Sequence, residues 1–372
     1  MFPRLEYLEW ISGRPEVALY DLGSSDLRGD RDHEPEAVPG PLAGLDDPPR
    51  GATLETMIAG EYGVEPEQVL VTAGATMANA VAAATALDRA EPENDEGTDG
   101  EGAAASHVLV EKPGYEPLVK TPAAFGASVD RFLRGDDYGL AVDRVENALV
   151  DATALVTVTN RHNPSGVRAD RETLADLAGV VADADARLLV DEVYAPFGTG
   201  DREGAFGGPT AAGLERAVVT NSLTKYWGLG DLRVGWLVAD EAFVDHARSV
   251  AHHFAAVAGP SRALGRRALH NADHLDARAS GLVEDNHALL REFLDARDDV
   301  EGFVSEGCTY AFLDPEHADG DELAADAWEE GLLVVPGRFF DDDGRVRVSL
   351  GRSPAEVAPA LDALGDLLDR YA

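Results

Sequence analysis

The sequence predicts an α/β protein: a large unit built on a doubly wound, mostly parallel sheet, followed by a smaller α+β unit. Three observations predict it. Strand-like and helix-like runs alternate from about residue 54 to residue 238. Several of the strand-like runs, such as Ala154-Leu-Val-Thr-Val-Thr159, are apolar without alternation, the pattern of a strand covered on both faces. From about Phe243 the alternation gives way to long helical stretches and a few late strands.

Residues 1–50 are rich in Gly, Pro and Asp and read as irregular, with one short strand over Val17–Leu22. Leu54–Tyr62 reads as a helix, Gln68–Thr72 as a strand and the Ala-rich Ala75–Leu87 as a helix. The acidic stretch Ala90–Ala105 has no apolar pattern and reads as a solvated loop. His107–Glu111, Ala154–Thr159, Arg187–Asp191, Ala217–Asn221 and Leu232–Val238 are expected strands; Tyr115–Phe125 and Arg171–Ala182 are expected helices. Later come a helix near Ser261–Ala272, strands at Tyr310–Leu313, Leu332–Val335 and Arg345–Leu350, and a closing helix over Pro354–Tyr371. The large unit is expected over 49–262, and the small one from an N-terminal arm, 1–48, with 263–372. No internal repeat is visible.

Charge narrows the function classes. The 372 residues include 31 basic and 69 acidic side chains, a net charge of −38 that repels nucleic acid and anionic lipid. The acids are dispersed over a chain of ordinary apolar content, which we read as the coat of a protein adapted to a salty cytoplasm. No run approaches the roughly 18 apolar residues of a membrane helix. No secretory signal opens the chain, and the lone Cys308 permits no intrachain disulfide, so a reducing cytoplasm is expected. Lys112, Lys120 and Lys225 are the only lysines. A chain that uses arginine almost everywhere else is expected to keep a lysine where an amine that can lose its proton is needed.

Five segments carry candidate chemistry. Thr72-Ala-Gly-Ala-Thr76 runs from a strand through Gly74 into a helix, where the backbone N–H groups of Ala75 and Thr76 make an anion site; a plain turn would look the same. Glu111-Lys-Pro-Gly-Tyr115 places an aromatic ring at a strand end, for stacking or for simple packing. Asn160-Arg-His-Asn-Pro-Ser-Gly166 contains turn formers, but a turn alone does not call for two amide side chains there. Leu188-Leu-Val-Asp-Glu-Val-Tyr194 ends an apolar strand on Asp191, where open α/β sheets bind ligands, although helix capping competes. Asn221-Ser-Leu-Thr-Lys-Tyr-Trp-Gly-Leu-Gly-Asp-Leu-Arg-Val-Gly-Trp236 sets Lys225 in a glycine-rich loop near Ser222 and Arg233.

In this order the five segments resemble the fold-type I pyridoxal-phosphate aminotransferases of class I/II, over about Gly51 to Gly351. The resemblance implies that Lys225 binds pyridoxal 5'-phosphate as a Schiff base and later carries a proton. Asp191 would pair with the pyridine nitrogen, Asn163 and Tyr194 would bond the phenolic oxygen, and Tyr115 would stack on the ring. Gly74, Ala75, Thr76, Ser222 and Arg233 would hold the phosphate. Arg347, with Asn163, would take the substrate carboxylate, with Arg345 in reserve. Lys225, Asp191 and Tyr194 are thus the expected catalytic set, and no metal is called for. An amino acid and a 2-oxo acid are the implied substrates, and a homodimer the implied assembly.

The sequence departs from the family at three places. Leu45-Asp-Asp-Pro-Pro-Arg-Gly51 lacks the tyrosine that relatives often extend to the neighbouring subunit's phosphate. The usual Gly-x-Pro-Asp is here Gly23-Ser-Ser-Asp26, and the residue before the lysine is Thr224 in place of the common serine. A lyase or decarboxylase would share the cofactor residues. A non-catalytic sensor module is disfavoured by the short acidic segment before the fold, and a nicotinamide dehydrogenase by the missing Gly-x-Gly-x-x-Gly.

Overall fold

The computed structural model describes residues 2–29, 37–90, 106–198 and 204–372. In chain order its helices are α1 (Glu6–Ile11), α2 (Arg14–Val17), α3 (Leu54–Tyr62), α4 (Ala75–Ala90), α5 (Glu116–Ala124), α6 (Val142–Ala148), α7 (Arg171–Asp183), α8 (Glu241–Ala251), α9 (Gly259–His270), α10 (Ala272–Asp295), α11 (Gly320–Glu329) and α12 (Pro354–Leu368). Its strands are β1 (Tyr20–Asp21), β2 (Val69–Thr72), β3 (His107–Lys112), β4 (Ser128–Leu133), β5 (Thr153–Thr159), β6 (Arg187–Asp191), β7 (Ala217–Ser222), β8 (Gly235–Val238), β9 (Val300–Glu301), β10 (Tyr310–Pro315), β11 (Leu332–Leu333), β12 (Val335–Pro336) and β13 (Val346–Ser349).

Seven strands form one sheet in the order β2-β8-β7-β6-β5-β3-β4. All neighbours run parallel except β8, which is antiparallel to both β2 and β7. The solid apolar strands are buried on both faces, as a two-sided sheet requires: along β6, Leu188 and Val190 join the core beneath α3, α6 and α7, and Leu189 joins the core beneath α4, α5 and α8. The carboxyl ends of β2, β5, β6 and β7 all meet one edge, because reversing β8 leaves β2 pointing the same way as β7. Gly235 is opposite both Thr72 and Ser222. A Cβ at Gly235 would come within 2.4 Å of Gly74 C, so glycine lets the β2–α4 turn close over that edge.

The later strands make a second sheet, β12-β13-β10-β9, over a core shared with α11 and α12. The arm visits both cores: Leu22 packs in the second and Leu27 and Leu42 in the first. A buried ion pair, Arg352 Nη2 to Asp21 Oδ2 at 3.1 Å, ties the arm to the loop before α12. Among the described residues no helix is long and apolar enough to cross a membrane.

Several sequence expectations shift. Val17–Leu22 is a strand only at Tyr20–Asp21; Val17 closes α2, and β1 gains a parallel partner, β11, that no local pattern announces. The first fifty residues also hold α1. The strand expected over Leu232–Val238 begins at Gly235, because Arg233 adopts a left-handed conformation, φ +49°, after a short 3-10 turn. Leu332–Val335 divides into β11 and β12, which pair with different strands. β4 and α6 were not anticipated; β4 alternates exposed residues with half-buried ones and buries Phe132 alone, so its apolar signal is weak. The loop expected at 90–105 lies outside the described residues except for Ala90, the last residue of α4.

Candidate active site

At that sheet edge lies a cavity of about 310 Å³ lined by sixteen residues, among them Ala75, Thr76, Tyr115, Asn163, Asp191, Tyr194, Ser222, Lys225, Arg233 and Arg347. The structure therefore brings together the residues singled out from the sequence, except Gly74, which sits directly behind the wall, and the reserve residue Arg345. Gly74 has φ +89°, and a Cβ there would lie 2.9 Å from Arg233 Nη2. The glycine thus serves two ends: it makes the turn, and it lets the Arg233 guanidinium pass beside the first turn of α4. The N–H groups of that turn point outward without helical partners, so with Arg233 they form a positive cradle.

Asp191 closes β6 and is buried. Its Oδ2 accepts from Asn79 Nδ2 at 2.7 Å and its Oδ1 from the Val193 amide at 3.2 Å. Asn79 is held in turn by Thr220 Oγ1, which donates to Asn79 Oδ1 at 2.5 Å. Burial pushes the Asp191 carboxyl up to about 6, against the pull of these two donors. The next residue, Glu192, packs away from the cavity, where its Oε1 accepts from the Ala211 amide at 2.7 Å; burial pushes it up to about 8.

Lys225 is half-buried, and its Nζ donates to Ser25 Oγ at 3.2 Å. Ser25 Oγ lies 2.6 Å from the Tyr194 hydroxyl. Burial disfavours the ammonium, but Tyr194, Asp26 and Tyr7 outweigh it and hold the amine above its usual range. Asp26 shows the complementary balance: burial raises it, yet Lys225 and Arg28 bring it below the usual carboxylate range.

Arg347, on β13, crosses from the second sheet to the cavity. Its Nη1 donates to Asn163 Oδ1 at 2.8 Å and its Nη2 to Gly23 O at 3.1 Å, while its buried Nε has no partner. A buried orphan donor on a guanidinium is a site that favours an incoming carboxylate. Arg345 goes elsewhere: it precedes β13 and pairs with Asp314 at 3.0 Å. Arg352 is committed to Asp21.

Sequence reasoning did not anticipate Tyr7, Leu8, Asn79, Thr159 and Val193 in the wall, nor Ser25 behind it. Asn79 had a signal: it stands one turn after Ala75, on the same helical face as the anion turn. Tyr7 had none, since α1 reaches the site only through long-range contacts. The Glu116 carboxylate accepts from the Glu6 amide at 3.2 Å and the Tyr7 amide at 2.7 Å, and the Tyr7 ring meets Tyr115 edge-on at 5.7 Å.

A family model described as aminotransferase class I and II matches residues 21–364. The chain belongs to that family. Aminotransferases of this class depend on pyridoxal phosphate, and the chain is such an enzyme with them. It is similar to the capreomycidine synthase of Streptomyces vinaceus, 28% identical over 273 residues that cover 71% of this chain and 69% of that one. It is 30% identical to the aromatic amino acid aminotransferase of Rhodococcus jostii, over 59% of this chain and 58% of that one. The histidinol-phosphate aminotransferase of Haloferax volcanii is 27% identical over 321 residues, 85% of this chain and 79% of that one. Among solved structures, a PLP-dependent aminotransferase from Streptococcus suis superposes with a TM-score of 0.82 over 100% of this chain and 99% of that one, at 22% identity, a likeness of fold. Fold type I is thus the architecture, as the five segments implied.

Proposed function

We propose that this cavity performs transamination between an amino acid with an apolar side chain and a 2-oxo acid, with Lys225 as the residue that holds the cofactor and moves the proton. The observation that carries the reading is the convergence, in one cavity, of a half-buried lysine, a buried carboxylate and two arginines from different elements. The residues fit pyridoxal phosphate. The α4 turn, Ser222 and Arg233 suit a phosphate; Asp191 suits a protonated ring nitrogen; Asn163 and Tyr194 suit the phenolic oxygen; Tyr115 lies where a ring face can rest.

The cofactor, once bound, supplies the electron sink for a carbanion. The chain supplies the rest. Lys225 Nζ would carry the proton from the substrate α-carbon to the cofactor's C4′ carbon, which requires a neutral amine within reach of both. Asp191, fixed by Asn79 and the Val193 amide, keeps the ring nitrogen protonated. Arg347 holds the carboxylate and so fixes which α-carbon bond faces the lysine. Tyr7, Leu8 and the rings around them wall off water.

Substrate class follows from charge. Lys225, Arg233 and Arg347 are the only cations in the described lining, and each already has a task. Arg14 lies over the rings of Trp10 and Trp328, and Arg28 is paired with Asp26. A second substrate carboxylate would be buried without a partner. The neighbourhood of Tyr7 is an aromatic cluster with Phe312, Phe339 and Phe340.

The test is a half-reaction in high salt. An apolar amino acid should bleach the visible band of the bound cofactor, and a 2-oxo acid should restore it. Bound cofactor without this exchange would move the assignment to a lyase or decarboxylase. We further read the chain as a cytoplasmic homodimer, with a division into 49–262 and 1–48 plus 263–372, and as salt-adapted; the net charge of −38 supports the last point. A melting series from molar to low salt should show a falling midpoint, and a flat series would remove the salt reading.

A further inference from the structure

We propose that Ser25 is a positioning residue for Lys225: its hydroxyl holds the lysine's free amine and ties it to the Tyr194 phenol. This rests on the transamination reading above and adds a residue to it. In the family's motif the third position is proline, which has no hydroxyl; here it is Ser25.

The placement is built. Ser25 is 2% exposed. Its Oγ lies 3.2 Å from Lys225 Nζ and 2.6 Å from Tyr194 Oη. The arm is locked in register with the lysine's own backbone, since the Leu27 amide donates to Lys225 O at 2.8 Å. The turn that presents Ser25 is shaped by Asp21 Oδ1, which accepts from the Gly23 and Ser24 amides at 3.1 and 2.9 Å. Gly23 O takes the Arg347 guanidinium. One short segment therefore fixes both the candidate proton carrier and the candidate carboxylate site.

The free amine is the state in which Lys225 would move a proton. A four-carbon stem has many rotamers, and a fixed acceptor selects one of them. The hydroxyl can keep contact in both charge states. When Nζ is an ammonium it donates to Ser25 Oγ, and Ser25 donates to Tyr194. When Nζ is neutral, Ser25 donates to it and Tyr194 donates to Ser25. The hydroxyls turn, Ser25 and Tyr194 keep their own protons, and the single proton gained or lost is the one Lys225 exchanges with the substrate. The other groups facing Lys225 are Asp26 on the arm, Tyr7 on α1, Asp191 at the end of β6 and Arg347 on β13.

The chain has three lysines, so the Lys225 signal can be resolved by NMR in full-length protein carrying labelled lysines. The measurement uses the pyridoxamine-phosphate-loaded protein, where the amine is free, and compares wild type, Ser25→Ala and Ser25→Thr. Losing the acceptor of the charged form should lower the Lys225 titration midpoint in Ser25→Ala. The half-reaction should slow about tenfold with a smaller change in amino acid Kd, and its pH profile should move with the midpoint. Ser25→Thr should restore both. An unchanged midpoint and rate in Ser25→Ala would overturn the proposal. So would a Ser25→Thr variant as impaired as Ser25→Ala, which would mark a packing role. If wild type converts its cofactor with no amino acid, the transamination reading fails, while the Lys225 midpoint still decides what Ser25 holds.

Discussion

The two walls of the cavity are built differently. The sheet wall consists of strand ends and the first turn of α4, and behind its phosphate cradle the carboxylate is held in a buried chain, Thr220 to Asn79 to Asp191, while Lys225 bonds to Ser25 of the arm segment behind the wall. The arm wall is α1, six residues long, held by two amides on the half-exposed Glu116 and by ring contacts of Tyr7 and Trp10 with Phe339. The sheet wall has the chemistry, which tolerates little displacement. The arm wall meets the variable part of the substrate and gains its hold from a few surface contacts. Rigidity and chemistry therefore share one wall, and adjustability and selection the other.

The largest effect should come from the sheet wall. Lys225→Ala should slow the half-reaction by about 10²–10⁴-fold, the range for loss of a positioned proton carrier. Single-turnover absorbance with an apolar amino acid reads it. A variant that keeps more than a tenth of the wild-type rate would break the assignment of the sheet wall to chemistry.

Asn79→Leu probes the support of Asp191. Hydrogen bonds to a charged group contribute about 1.5–3 kcal/mol, so a loss of roughly 10–100-fold in rate is expected. The pH response sharpens it. Asp191 is raised to about 6, so its carboxylate is lost as pH falls through that value. Removing the Asn79 donor leaves burial less opposed and raises the carboxyl further. The acid limb of the rate profile should move to higher pH. An unmoved limb would mean Asn79 fills space and tunes nothing.

The same contrast explains what was legible in the sequence. Asp191 ends, and Asn163 and Lys225 follow, a strand whose apolar run is visible, so both the sheet edge and the residues on it could be read locally. Asn79 was legible in part, through its helical phase with the anion turn. Tyr7 and Ser25 were not. They reach the site because the arm pairs with β11, through Tyr20 and Leu332, and because Arg352 binds Asp21, contacts that span more than 300 residues. Such pairings are fixed by tertiary packing and leave no period in the arm itself. The same cause shortened the strand expected at Val17–Leu22.

A third effect is on stability, behind the sheet wall. Glu192 rises from 4.5 to about 8 in the fold. A folded pKa above the unfolded one means that the stability this group contributes is full below about 4.5 and is lost as pH rises through about 8. Glu192→Gln keeps an acceptor for the Ala211 amide and removes the ionisation. Its melting midpoint should match wild type near pH 5 and exceed it near pH 8, by an amount equivalent to a few kcal/mol. Equal pH slopes for the two proteins would show that Glu192 is ionised in the folded state.

The smallest effect should be on the arm wall, and its size separates the two walls. Glu116→Ala removes the acceptor of the Glu6 and Tyr7 amides. Two half-exposed hydrogen bonds contribute about 1 kcal/mol together once water replaces them, which corresponds to a roughly fivefold weaker hold on α1. Hydrogen exchange of the α1 amides should speed by about that factor, and the Kd of an apolar amino acid should rise by a similar factor. The rate at saturating substrate and the melting midpoint should change little, because α1 contributes no strand to either sheet. A saturating rate that falls as far as in Asn79→Leu would show that the arm also sets the geometry at Lys225, through Tyr7 and Arg347, and the two walls would then be one cooperative unit.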